Sequence, residues 1–448
     1  MLQQEPLYSY ESSVRKRTSH GGEGEEKTDS QVTRTSIQET LKLSHINSNH
    51  LYDTKNPEDI QSIKIRHNEW LAVQRLLQPK TIGELHNIYT AWYKINPVDI
   101  ELIDITLALA TDRRIPGDPV WGNIVGPAGF WKTGLCRSIS GLPEVYPLDV
   151  LTDKSLISGL VEKNKETGER EPVAGILKEL NGKVLVIKDF TAVLSLRDYK
   201  RQAVLSQLRN AYDGYYDSAF GTLKEPIRVE VEFGFIAAVT PIINNYIKTL
   251  VTMGPRCLMV RIHDPPRRES ARAARENLGK EETMRYQVKE AVSNYVKSLD
   301  FSKKIEVSSR IGDSIDALAD YTALMRTHVM AKYYGGKMID HNIPSPEAPT
   351  RLSKQLGKLG IGLALIRGHD KITSEDFKTL QRVGMDSAIP EFQLIIDYWI
   401  EHFPKNGLDA LYTPYEISTN KKMNQNTTTN KLELMRIIGI TEKDNVGA

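Results

Sequence analysis

The 448-residue chain is 40% hydrophobic and 7% aromatic, ordinary for globular protein with a sizeable core and long enough for two or three domains. Its 59 basic and 57 acidic residues nearly cancel, so any attraction to nucleic acid or membrane must come from a local patch rather than from the overall field. The opening residues lack the apolar run of a secretory signal, no stretch approaches the roughly 18 apolar residues of a membrane span, and there are two cysteines, Cys136 and Cys257. A soluble, cytoplasmic protein with free thiols is expected.

Residues 1–56 are rich in Ser, Thr, Glu, Gln and Lys, with GGEGEEK in their middle, and predict a disordered polar tail. Over 57–111 apolar residues recur at helical spacing, as in Trp70, Val73, Leu76 and Leu77 and again in Ile100, Ile103 and Leu107. This predicts a helical lead-in. Over 112–264 the period changes. VWGNIV, GKVLVIKDF and VEVEFGFIAAVT are short runs rich in Val and Ile between amphipathic helical segments, which predicts an α/β fold with a parallel sheet and helices on both faces.

Residues 265–388 read as all helical. Leu352, Leu356, Leu359, Leu363 and Ile366 form one apolar stripe, and Thr373 with Asp376 forms the acidic variant of a capping box for a helix over 374–388. Over 389–448, EFQLIIDYWIEHF places Phe392, Ile395, Ile396, Trp399, Ile400 and Phe403 on one helical face. The TPYEIS, Asn/Thr-rich and NKLELMRIIGIT stretches after it suit three short helices in a winged-helix or helix-turn-helix arrangement.

The stretch GPAGFWKTGL, 126–135, has the pattern of a phosphate-binding loop after a strand over 120–125. In such a loop, here Gly126, Pro127, Ala128, Gly129, Phe130, Trp131, Lys132, Thr133 and Gly134, backbone N–H groups point into one concavity. The lysine neutralises the outer phosphates and the threonine holds Mg²⁺. Trp131 departs from the pattern, because a glycine before the lysine lets the backbone close around the phosphates. Its ring either points outward or impairs the site. The bland alternative is a strand-to-helix turn that happens to contain KT.

VLVIKDF, 184–190, is an apolar strand ending in an acid. Nucleotide hydrolases place there a carboxylate for the metal and often a second that polarises the attacking water. Here there is one, Asp189, after Lys188. FIAAVTP ends in Thr240, where a hydroxyl can orient water near a γ-phosphate, and GPRCLMVRI carries Arg256, a candidate finger for a neighbouring subunit's nucleotide.

Two further features bear on partners. Arg256, Arg261, Arg267, Arg268, Arg272 and Arg275 stand against Asp264 and Glu269, a cluster that suits phosphates of nucleotide or DNA, or else a solvated helix face. DGYYDSAFGT, 213–222, offers Tyr215, Tyr216 and Phe220 either for stacking on bases in a channel or as loop anchors. His263 has no partner at metal-ligand spacing.

The succession GPAGFWKT, VLVIKDF, AAVTP, GPRC and APTRLSKQL resembles the AAA+ ATPases. Within them it is similar to the mini-chromosome-maintenance helicase branch and the related ATPases of viruses and mobile elements. The resemblance runs over about 104–387, and APTRLSKQLGKLGIGLALIRGHDKITSEDF looks like that branch's lid. It implies a P-loop NTPase core, a helical lid and a small C-terminal helical module, with ATP and Mg²⁺ as cofactors.

Carried over residue by residue, the resemblance puts Lys132 on the β and γ phosphates and Thr133 on Mg²⁺. Thr240 falls at the first sensor, Arg256 at the trans finger and Arg351 at the lid's second sensor. Against the family's Asp-Glu pair, Lys188 falls on the metal-side acid and Asp189 on the catalytic glutamate; alternatively Asp189 is the metal acid and the glutamate is missing. The family's oligonucleotide-binding N-terminal domain has no counterpart in the first 110 residues. The expectation is a ring-like homo-oligomer that uses ATP to move or remodel DNA. The alternatives are a nucleotide-gated DNA- or protein-binding switch with little hydrolysis, and a remodeller of protein.

Overall fold

The computed structural model describes residues 41, 57–152, 154–157, 161–163, 170–172, 175–218, 227–246, 256–263, 266–335, 337–407 and 411–442. The expected tail lies outside these residues except at Leu41. That side chain is fully buried, and its carbonyl accepts from the Gln287 amide at 3.2 Å, so at this position the tail expectation is corrected.

Three helices lead in: α1 (Pro57–Leu76), α2 (Ile82–Trp92) and α3 (Glu101–Ala110). The next region alternates as the sequence predicts. It holds β1 (Trp121–Val125), α4 (Lys132–Ser138), β2 (Val145–Leu148), the hairpin strands β3 (Val161–Lys163) and β4 (Arg170–Pro172), β5 (Val184–Ile187), α5 (Thr191–Leu194) and α6 (Asp198–Tyr212). A second hairpin, β6 (Tyr215–Ser218) and β7 (Ile227–Glu230), then leads to β8 (Gly234–Val239) and β9 (Cys257–Arg261).

Five strands form one parallel sheet in the order β2-β5-β8-β1-β9. β1, β5 and β8 are buried along their whole length, which is why their sequences are continuous apolar runs rather than alternating ones. Successive side chains point to opposite faces. Ile124, Val184, Val186, Ile236, Ala238 and Val260 join the lead-in helices and the helices that follow β9 in one core, and Trp121, Val125, Leu185, Ile187, Phe235 and Val239 join α5 and α6 in another. The lead-in lies close on the sheet: a Cβ on Gly122 would meet Leu109 Cδ1 at 2.5 Å.

Beyond β9 come α7 (Arg267–Glu276), α8 (Glu281–Ser298), α9 (Ser309–Met325), β10 (Ala331–Tyr334), β11 (Lys337–His341), α10 (Thr350–Arg367) and α11 (Ser374–Asp386). The β10–β11 hairpin corrects the all-helical expectation for 265–388. Its sequence, AKYY then KMIDH around a Gly-Gly pair, carries an ordinary hairpin signal, and Gly335 takes φ +54° at the turn. The stripe Leu352, Leu356, Leu359, Leu363 and Ile366 is buried as read, and Thr373 and Asp376 form a reciprocal capping box.

The terminal module is α12 (Pro390–Asn406), α13 (Pro414–Lys421) and α14 (Gln425–Ile437) around Phe392, Ile395, Tyr398, Ile417, Leu434 and Met435. Two expectations are corrected here. Ile400 and Phe403 are 53% and 49% exposed, and Tyr398 takes the core position instead. Among the described residues the module has no strand, so no wing accompanies its three helices. No helix among the described residues is long and apolar enough to cross a membrane.

Candidate functional site at the carboxyl edge of the sheet

The loop 126–131 leaves the carboxyl end of β1 and turns into α4. The Gly126 N–H donates to Val239 O at 3.0 Å, tying the loop's start to β8, and a Cβ there would sit 3.0 Å from that of Ile262. Gly129 takes φ +80° with open space around it, so its need is conformational. Pro127 and Phe130 are half-buried, while Ala128 and Thr133 are exposed.

Lys132 is buried, and its Nζ donates to the carbonyl of Pro127 at 2.5 Å. Burial holds the ammonium below the ordinary lysine value, and the nearby Asp189 carboxylate pulls it the other way.

Trp131 neither points outward nor is left without a place. Its ring is buried in the core shared with the lead-in, 6.4 Å from Tyr89 and 6.2 Å from Tyr93 between ring centroids. The Tyr89 hydroxyl pairs with Ser138 Oγ at 2.5 Å at the far end of α4, and Tyr93 lies so close to Gly134 that a Cβ would meet its Oη at 2.5 Å. The two tyrosines of the lead-in therefore clamp α4 and the residue before Lys132. Burial pushes the acidity of both phenols down, raising their pKa values.

At the end of β5, Lys188 and Asp189 part company. Lys188 Nζ pairs with Asp149 Oδ1 at 2.5 Å, and that hydrogen bond holds the Asp149 carboxyl below the usual range. Asp189 is exposed, and its Oδ1 accepts from the Thr191 N–H at 3.0 Å. Thr191 Oγ1 in turn donates to Thr240 Oγ1 at 3.3 Å and accepts from the Thr240 N–H at 3.1 Å. Thr191, which sequence reading passed over, thus bridges the two candidates. Its only signal was its place two residues after the acid in IKDFT. Because β8 lies between β1 and β5, Thr240 stands between the loop and Asp189.

Arg256 and Arg351 lie elsewhere. Arg256 immediately precedes β9, and Cys257 is in register with Trp121, so Arg256 marks the amino edge of the sheet. With β1 five residues long, about 15 Å separates the two edges. Arg256 Nη2 lies 3.1 and 3.0 Å from the two Asp213 oxygens, and its guanidinium stands 5.6 Å from the Tyr212 ring centre. Arg351, in the first turn of α10, stands 5.9 Å from the same ring. Gln355 Nε2 donates both to Tyr212 Oη at 3.1 Å and to Arg256 O at 2.7 Å. Burial pushes the Tyr212 phenol up to about 12. The candidates fall into two groups: Lys132, Thr133, Asp189 and Thr240 at the carboxyl edge, Arg256 and Arg351 at the amino edge.

The arginine cluster of the sequence is not one patch. Arg256 is at the amino edge, and Arg267, Arg268, Arg272 and Arg275 are exposed on α7, with Arg272 paired to Glu276 at 2.9 Å. Arg261 is turned inward, its N–H donating to Asp386 Oδ2 at 2.8 Å and its Nη1 to Asn244 at 3.1 Å. Beside it Arg382 Nη2 meets Asp99 Oδ1 at 2.5 Å and the Arg261 carbonyl at 2.8 Å, and Asp99 Oδ1 also holds His263 Nδ1 at 2.8 Å. This network joins lead-in, sheet and α11. Burial pushes the Asp386 carboxyl up to about 6, while the hydrogen bond that its ring donates to Asp99 raises His263.

In the β6–β7 hairpin, Tyr215 is 48% exposed, but Tyr216 is buried in the α6-side core and is an anchor rather than a stacking platform. Phe220 lies outside the described residues, as do Gly254, Pro255 and Asp264. Both cysteines are free, and no group of His, Cys, Asp and Glu among the described residues could hold a metal by itself. Comparison of the chain with protein-family models gives no match, and comparison with curated proteins gives none.

Proposed function

We propose that the protein is an AAA+ ATPase, similar to the mini-chromosome-maintenance branch, that binds ATP and Mg²⁺ between neighbouring chains of a ring-like homo-oligomer and moves or remodels DNA. The observation that carries this reading is the division of candidates between two edges of one sheet. A chain so divided cannot complete its own site, whereas a head-to-tail neighbour brings an amino edge against a carboxyl edge.

The residues present suit the cofactors. Lys132 is a buried cation whose acceptor is a loop carbonyl, a bond that a phosphate oxygen can replace, and Gly129 holds the positive φ that such a loop needs. Thr133 and Asp189 supply a hydroxyl and a carboxylate, hard oxygen donors of the kind Mg²⁺ takes. Bound ATP supplies the phosphoryl bond whose cleavage drives the work. Toward it Lys132 neutralises charge, Thr191 fixes Thr240 and Asp189 relative to each other, and Trp131 anchors the loop from behind. Support for DNA as the substrate is the exposed Tyr215, a stacking surface on the amino-edge hairpin.

One observation favours slow turnover and with it the switch reading. Lys188 occupies the place of a second acid and is drawn away to Asp149, leaving Asp189 as the one carboxylate at that strand end. The test is ATP binding and hydrolysis by the intact protein, with and without single- and double-stranded DNA, beside Lys132→Ala. Hydrolysis that DNA stimulates and Lys132→Ala abolishes is expected. An unchanged rate in that variant would sink the assignment, and tight binding without turnover would favour the switch.

A further inference from the structure

We infer that Asp213 is a positioning residue that withholds Arg256 from the neighbouring chain until the β6–β7 hairpin is loaded. The inference rests on the reading of Arg256 as a finger for a neighbour's nucleotide. Arg256 is 13% exposed at its side chain and Asp213 is 55% exposed, so the carboxylate caps a largely covered guanidinium from the solvent side. Both Asp213 oxygens lie on one nitrogen, Nη2. A guanidinium nitrogen held by a carboxylate is not at the same time free to meet a phosphate, because both claims need the same N–H directions.

The position of Asp213 in the chain makes this a coupling. The end of α6 is fixed at Tyr212, whose ring packs edge-on against Trp121 at 5.0 Å and whose hydroxyl accepts from Gln355. The next residue, Asp213, ends the helix, and Gly214 then takes φ +82° with open space around it before β6 begins at Tyr215. A pull on the exposed Tyr215 thus reaches Asp213 across a single glycine, while Arg256 is anchored to the sheet through Cys257 and to α10 through Gln355. Nucleic acid that shifts the hairpin draws the carboxylate off the guanidinium. By reciprocity, a phosphate that captures Arg256 frees Asp213 and alters the hairpin's hold on nucleic acid.

The test compares DNA-free and single-strand-stimulated ATP turnover of the full chain in wild type, Asp213→Ala, Asp213→Asn, Asp213→Glu, Arg256→Ala and the Asp213→Ala/Arg256→Ala pair, with thermal melting alongside. The DNA-free rate of Asp213→Ala and Asp213→Asn is expected to rise roughly two- to fivefold, the range set by an ion pair of this exposure. The stimulated rate should stay near wild type, so that the stimulation ratio falls toward one. Asp213→Glu is expected to keep the ratio, and the double variant to match Arg256→Ala. A DNA-free rate at or below wild type with stimulation intact, or a double variant still faster than Arg256→Ala, would overturn the latch alone. Wild-type turnover indifferent to Arg256→Ala would overturn the finger reading and the latch with it.

Discussion

Trp131 meets Tyr89 edge-on, their ring planes 70° apart, and so binds the residue before Lys132 to the helical lead-in. Aromatic pairs in this geometry add to the burial of the rings themselves. Trp131→Ala is therefore expected to cost about 3 kcal/mol in chemical denaturation. It should also weaken nucleotide binding in a titration, because the loop loses its anchor. Tighter binding at unchanged stability would mark the ring as an obstruction instead.

Gly134 is expected to resist any side chain. Gly134→Ala drives a methyl into the Tyr93 hydroxyl and should cost roughly 1 to 3 kcal/mol. Tyr93→Phe should recover part of that loss in the double variant, but not all, since the next ring atom lies at 2.8 Å. Equal stabilities of Gly134→Ala with Tyr93 and with Phe at that position would remove the contact as the cause.

Thr191→Val deletes the hydroxyl that donates to Thr240 and accepts from its N–H while keeping the shape of the side chain. ATP affinity should change little. Turnover is expected to fall roughly 10- to 100-fold, as it does when residues that orient reacting groups are removed. A drop in affinity at unchanged turnover would place Thr191 in binding rather than in orienting Asp189 and Thr240.

The junction of α11 with β9 should tighten on acidification. With its carboxyl pushed up to about 6, Asp386 in the folded chain keeps a proton that the unfolded chain releases near pH 4. Its contribution is present below that range and is lost as pH rises through 6. His263 is raised, so its contribution is full below about 6.5 and is lost as pH rises through the folded value. The stability advantage of wild type over Asp386→Asn should shrink between pH 4 and 6, and that over His263→Ala should shrink above 6.5, both by thermal melting. A difference that stays constant across the range would contradict the assignment.

Local signals carried the sequence reading where they were enough. The buried strands, the stripe along α10 and the box of Thr373 and Asp376 each depend on neighbours a few residues apart, and each was legible. The placement of Thr240 and Asp189 near one loop followed from their order at strand ends. What could not be read was made by distance along the chain. Asp99 finds His263 after 164 residues and Arg382 after 283, and Tyr212 gathers Arg256 and Arg351 from two other elements. Neither place that the loop pattern allows Trp131, outward or in the way of the phosphates, is the one it takes, because its partners, Tyr89 and Tyr93, stand some forty residues earlier in the chain. The β10–β11 hairpin was local and was missed because the helical stretches around it set the expectation.

The span of β1 has a consequence for mixtures. With Lys132 at one end of the sheet and Arg256 at the other, a chain carrying Lys132→Ala keeps a sound amino edge, and a chain carrying Arg256→Ala keeps a sound carboxyl edge. On the proposed assembly, equal parts of two impaired proteins would form whole junctions at about a quarter of their contacts. The blend would exceed the activity of either parent, whereas a chain able to finish its own site would gain nothing from company. Complementation between two broken copies is then a property written into the length of a single strand.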